Sequence, residues 1–187
     1  MKKITIPADK KELLSLRAGD AVEIYGTIYT ARDAAHKRLC EMIASGEELP
    51  FELENAVIYY TGPCPKKEGQ IINSCGPTTS GRMNKYAPTL YEKGAAGAIG
   101  KGPVSNEVKQ AMQKAGAVYF IATGGAGALI SLSVTEMEEI AFPELGAESI
   151  KRLKVAGFPA IVGVDAFGGD VYISGPEAYK KQNGETV

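Results

Sequence analysis

Positions 74–84 read S-C-G-P-T-T-S-G-R-M-N, the densest stretch of chemistry in the chain. The hydroxyls of Thr78, Thr79 and Ser80 and the guanidinium of Arg82 stand within one turn, framed by Gly76 and Gly81. Glycines let backbone come close to a ligand, and amides at a helix start attract an anion. The planar fork of an arginine adds bidentate recognition of a carboxylate or phosphate. The stretch can therefore bind a small anion; equally, it can be a rigid turn in which Thr78 or Ser80 caps the next helix.

Two further cations suit the same ligand. Ala31, Ala35, Leu39 and Met42 recur at helical spacing, with Thr30 as the expected cap and Ser45 and Gly46 as the close, so Arg32 falls on a first turn. Lys101 lies between Gly100 and Gly102, where its ammonium can reach a small ligand. Ordinary solvated side chains are the alternative for both. Lys101 is no P-loop lysine: five residues separate Gly94 from Gly100 where four are needed, and Gly102 stands where Ser or Thr should follow. Gly125-x-Gly127-x-x-Ile130 lacks the small last residue of a dinucleotide loop, and no Asp follows at the end of a second strand.

Metal chemistry has little to stand on in this chain. Its three cysteines, Cys40, Cys64 and Cys75, show no close C-x-x-C spacing, and His36 is the sole histidine, so no metal ligand is assigned. Cys64 and Cys75 are expected to be packed thiols. An odd cysteine count, with no secretory signal or membrane-spanning run in view, fits a reducing cytoplasm. With a net charge of −1 and a pI near 6.0, there is no broad basic field for nucleic acid or an anionic membrane, and any anion site must be local.

The elements that must hold these residues follow from periodicity. Strands are expected at 3–6, at 21–30 as a pair or one bent strand around Gly26, and at 55–60, 70–73, 96–99 and 117–122. Residues 161–165 and 170–173 read as a terminal hairpin, and 148–155 as a short helix or turn. Helical segments are expected over 10–16, after Thr30, from about Pro88, after Ser105 and after Gly127, with a polar tail over about 177–187. Strands and helices alternate from Asn55 onward while β-pairing dominates both ends, which predicts an α/β domain over 1–187 with a mixed sheet.

G-P-T-T-S-G-R-M-N, with Y-T-G-P-C-P at 60–65, R-D-A-A-H at 32–36, I-G-K-G at 99–102 and T-G-G-A-G-A-L at 123–129, resembles the β subunit of class I, iron–sulfur-dependent fumarases and of tartrate dehydratases. The resemblance implies a swivelling β/β/α-type domain that supplies half of a hydro-lyase site. It implies Thr78 as the catalytic base and Arg32, Thr79, Gly81, Arg82 and Lys101 as substrate-binding residues, with Asp33 and His36 orienting the Arg32 turn. The expected reaction is reversible hydration of fumarate to (S)-malate, with L-tartrate dehydration as the alternative. It further implies a 4Fe–4S cluster ligated by an α subunit rather than by this chain, a small dicarboxylate substrate, and a dimer of heterodimers. A non-catalytic organic-acid-binding domain is the alternative from another class.

Overall fold

The computed structural model describes residues 1–183. Seven strands form one mixed sheet: β1 (Lys2–Ile6), β2 (Ala21–Thr30), β3 (Val57–Tyr59), β4 (Gly97–Gly100), β5 (Val118–Ile121), β6 (Val134–Ala141) and β7 (Ile150–Val164). The spatial order is β1-β2-β3-β4-β5-β7-β6, and an added β2–β7 pairing closes β2, β3, β4, β5 and β7 into a barrel-like ring. The α/β mixed-sheet expectation holds. The helices are α1 (Lys10–Leu14), α2 (Asp33–Ser45), α3 (Ala87–Glu92), α4 (Asn106–Ala115), α5 (Gly127–Ser131) and α6 (Val171–Gln182).

Two long strands make the closure possible. β2 pairs with β7 along most of its length, while its other flank passes from β1 at Val22–Gly26 to β3 at Tyr29 and Thr30. The change of partner falls just after Gly26, where the register with β7 shifts. Gly26 has φ +92°, and a Cβ there would collide with the Ile6 carbonyl, so the bend needs glycine. β7 changes partner in the same way, from β6 over Ile150–Val155 to β5 over Ile161–Val164. Pro159 falls between these two pairings, where one flank of the strand has no ladder for a missing amide to break.

The ring separates two cores. Val57, Tyr59, Val118 and Phe120 point inward with Ile24, Ile28, Leu153 and Phe158. The alternate residues Ile58, Tyr60 and Tyr119 pack outward against Leu39, Leu90, Val108 and Met112 of the covering helices. Burial on both faces is why these short parallel strands read as unbroken apolar runs.

Several expectations about individual elements fail. Residues 70–73 form no strand, and 148–155 belong to a 3-10 turn (Pro143–Glu148) and the start of β7 rather than a helix. The terminal hairpin reduces to one bridge, Val164 to Asp170, after which Asp170 caps α6 through the Tyr172 amide at 2.8 Å. The polar segment from Glu177 is exposed and helical as far as Gln182, and residues 184–187 lie outside the described ones. Thr30 does not cap α2: its hydroxyl accepts from the Lys151 amide at 3.0 Å and donates to the Ser149 carbonyl at 3.3 Å, tying β2 to β7. Arg32 itself is the N-cap residue. Among the described residues no helix is long and apolar enough to cross a membrane.

Candidate functional site

β2, β3, β4 and β5 run parallel, so the loops after their carboxyl ends gather at one end of the ring. Arg32 follows β2, Gly62 and the 74–84 loop follow β3, Lys101 follows β4, and Gly124 follows β5. Carboxyl ends of parallel strands are where open α/β sheets place ligands.

The 74–84 loop is laced down rather than draped. The Tyr59 hydroxyl donates to the Cys75 carbonyl, Thr61 Oγ1 donates to the Gly76 carbonyl at 2.8 Å, and the Cys75 amide donates to Gly127 O at 3.1 Å. Thr78 N donates to Tyr60 O at 2.6 Å, Lys101 N to Thr78 O at 3.2 Å, and Ser80 N to Lys101 O at 2.8 Å, so Thr79 bridges Lys101 like a short added strand. The amides of Cys75, Thr78 and Ser80 are thereby spent within the chain. Those three are closed to an anion, so any convergence expected of the loop amides rests on the others, Gly76 and Thr79 among them, together with side chains. Neither Thr78 nor Ser80 caps the 3-10 turn (Ser80–Met83) that follows.

A hydroxyl relay sets the height of that turn. The Tyr119 hydroxyl lies 2.8 Å from both Gly102 O and Ser80 Oγ. Its single proton goes to the carbonyl, so Ser80 donates to Tyr119. Gly100 leaves room for Ser80, whose Oγ would collide with a Cβ there. Gly124 does the same for Lys101: a Cβ at Gly124 would sit 3.3 Å from Lys101 Cδ and 3.6 Å from Nζ. Gly81 is different. It is exposed, has no left-handed φ, and a Cβ would meet nothing closer than Asn84 Nδ2 at 3.9 Å, so the fold itself does not demand glycine.

The two arginines meet across Asp33. Arg82 Nε donates to Asp33 Oδ1 at 2.9 Å, and Arg82 Nη2 lies 2.8 Å from Asp33 Oδ2, an ion-pair contact without hydrogen-bond alignment. Arg32 Nε stands 3.9 Å from the same Oδ2. On its other side, Arg32 Nη2 is 3.4 Å from Glu148 Oε1, while Glu148 Oε2 accepts from the Ala34 amide at 2.9 Å and so caps α2 from a distance. Gly62 gives Arg32 its berth, since a Cβ there would lie 2.9 Å from Nη1. His36 supports the turn from below: its Nδ1 is 3.0 Å from Arg32 O, an acceptor, so Nδ1 carries the proton and Nε2 is bare and unpartnered. Complete burial pushes the His36 pKa down to about 4.

All six expected site residues thus stand at one end of the ring. Arg32 and Arg82 form one group about Asp33, and Thr78, Thr79 and Lys101 form another, joined through 79–82. Glu148 and Tyr119 escaped the sequence reading, and Gly62 and Gly124 entered it only within the family-like motifs, without an individual role. Glu148 reaches Ala34 from 114 residues away, which no local pattern signals.

The donor set does not fit an iron–sulfur cluster. Cys75, within the loop, is buried, with its thiol pushed up to about 12 by desolvation, away from the thiolate a cluster needs. Cys40 is half-buried and raised by the same cause, while Cys64 is exposed, contrary to the expectation of a packed thiol. Among the described residues no three His, Cys, Asp or Glu side chains group to hold a metal ion.

Residues 1–175 match the family described as Fumarase C-terminus. A Methanocaldococcus jannaschii protein, provisionally named L(+)-tartrate dehydratase subunit beta, is 39% identical over 181 residues, 93% of either chain. The L(+)-tartrate dehydratase subunit beta of Escherichia coli K12 is 32% identical over 193 residues, covering 100% of this chain and 94% of the relative. The anaerobic class I fumarate hydratase of the same strain is 39% identical over 153 residues, 81% of this chain but 28% of the relative. The chain thus spans nearly the whole of the β subunits and under a third of the fumarate hydratase. A match over almost every described residue and relatives of this identity establish that the chain belongs to the fumarase C-terminus family of hydro-lyases.

Proposed function

We propose that this chain is the β subunit of an iron–sulfur-dependent hydro-lyase that interconverts fumarate and (S)-malate by reversible hydration. The observation that carries the reading is the gathering of Arg32, Arg82 and Lys101 with the Thr78 hydroxyl at the carboxyl ends of parallel strands. Arg82 and Arg32 hold the carboxylates of the dianion, and Lys101 and Thr79 fix its orientation. Exposed Gly81 leaves space above the turn for substrate. Thr78 exchanges the proton at carbon, with neighbouring cations favouring its alkoxide.

The three cations face two carboxylates, Asp33 and Glu148, so this half-site carries one net positive charge, too little for a dianion. The balance, and the Lewis acid that hydroxyl departure requires, belong to a cluster-bearing α subunit in a cytoplasmic dimer of heterodimers. The β-subunit names of two relatives support such a partner.

L-tartrate is the second reading, favoured by the near-complete coverage of the tartrate dehydratase β subunits. Co-expression with a cluster-bearing α-subunit chain, anaerobic reconstitution, and assay on fumarate, malate and L-tartrate test both readings. The isolated chain should be inactive on all three. Turnover by the isolated, metal-free chain would sink the division of labour, and turnover of neither substrate by the complex would sink both readings.

A further inference from the structure

We infer that Asp33 is a positioning residue, which aims Arg82 by occupying one edge of its guanidinium and leaves the other edge for a substrate carboxylate. A guanidinium offers two bidentate edges, Nε with Nη2 and Nη1 with Nη2. Asp33 takes the first, with a hydrogen bond from Nε at 2.9 Å and an ion-pair contact to Nη2 at 2.8 Å. Among the described residues no acceptor hydrogen-bonds the Nη1/Nη2 edge, and the side chain is 50% exposed. An arginine left free on a surface loop samples many rotamers, and fixing it beforehand removes that entropy from the binding step.

Asp33 is itself held. It is the first residue of α2, next to an N-cap whose carbonyl receives both the His36 amide at 2.8 Å and the His36 ring at 3.0 Å. Its Oδ2 also stands between Arg82 at 2.8 Å and Arg32 at 3.9 Å, which offsets the repulsion of two guanidiniums converging on one ligand. The sequence motif R-D at 32–33 thereby acquires a division of roles: Arg32 faces the ligand, and Asp33 organises the second arginine.

This inference rests on the hydro-lyase reading for its kinetic arm, and a second arm is independent of it. In the reconstituted complex, Asp33→Ala should raise KM about tenfold or more with a smaller change in kcat, because the interaction lost is binding through Arg82. In an Arg82→Ala background the same change should cost less than about twofold, since contacting partners are non-additive. If the two losses multiply, Asp33 acts on the helix rather than on Arg82 and the inference falls. On the chain by itself, the Arg82 Nε–Hε signal in nitrogen-15 NMR should exchange slowly, and Asp33→Ala should speed that exchange while the backbone amides of α2 keep theirs. An Hε that exchanges equally fast with and without Asp33 overturns the inference even if the complex is active. A protected Hε in a chain whose complex turns over no dicarboxylate would retain the Asp33–Arg82 device and reject the hydro-lyase reading instead.

Discussion

Two regions of the sheet serve different ends. β2 to β5 run parallel, each followed by a loop that carries a candidate site residue or makes room for one. β6 and β7 form an antiparallel ribbon whose outer face bears cross-strand ion pairs, Glu138 with Arg152 and Glu136 with Lys154. The ribbon adds a single side chain to the site, Glu148, from the turn between its strands. Parallel strands leave every carboxyl end on one side, so their loops converge; a hairpin alternates ends and scatters them. Chemistry concentrates where topology brings loops together.

The sharpest test of that division is Thr78→Val in the reconstituted complex. If Thr78 moves the proton at carbon, a near-isosteric valine should lower kcat by roughly 10²–10⁴ with little change in KM. Near-native kcat at saturating substrate, with assembly intact, would remove Thr78 as the base. Arg82→Lys should come next, at about 10² in kcat/KM, because the lysine keeps the charge but loses both the fork toward substrate and the edge held by Asp33. Its loss should approach that of Arg82→Ala; a lysine variant close to wild type would reduce Arg82 to a point charge.

The same division governs what could be read from sequence. In the parallel half, burial on both faces makes each strand a solid apolar run such as 117–122, and the caps of α4 and the Gly46 close of α2 are local signals. β7 instead mixes Lys151, Arg152 and Lys154 with Ile150, Leu153 and Val155, and Gly157 and Pro159 interrupt its later half. It is a strand because β2, β5 and β6 all pair with it, a fact of tertiary structure rather than propensity. The tail misled for the opposite reason. Val171, Tyr172 and Ile173 are strong strand formers, yet Asp170, buried and paired with Lys109 at 2.5 Å, starts a helix there. In the site, the cations could be placed by their loops, whereas their carboxylate partners could not, since Arg82 lies 49 residues from Asp33 and Ala34 lies 114 from Glu148.

A smaller effect should separate the site from its support. His36 has a folded pKa of about 4 against an ordinary 6.5, so above pH 6.5 it is neutral in both states and costs nothing. As pH falls below 6.5 the unfolded chain takes the proton first, and the penalty on folding grows until about pH 4, where it reaches about 3 kcal/mol. His36→Gln should therefore lose less stability than wild type between those limits, measured by urea unfolding at pH 7 and pH 4.5. Parallel curves for the two proteins would show that His36 takes up its proton equally in the folded and unfolded chain, and would undo the reading of Nε2 as bare, while leaving the Nδ1 proton donated to Arg32 O.

The smallest effect belongs to the ribbon. Glu138 and Arg152 face each other directly across β6 and β7, with their side chains 60% and 52% exposed. Water and salt screen such a pair, and holding two long side chains together costs rotamer entropy, so its net worth is about 0.2–1 kcal/mol. Glu138→Arg alone puts like charges opposite each other and should lower stability by that amount, falling further at low salt because less of the repulsion is screened. Adding Arg152→Glu restores opposite charges and should return most of it. Neither variant should move kcat/KM of the complex by more than about twofold, since surface changes away from a site rarely act at a distance. A larger loss that tracks weaker complex formation would show that the ribbon, and not the parallel end alone, meets the α subunit. A larger loss with assembly unchanged would mean that strain in β7 reaches Glu148 and through it Arg32, and the parallel strands and the ribbon would then have to be treated as one device.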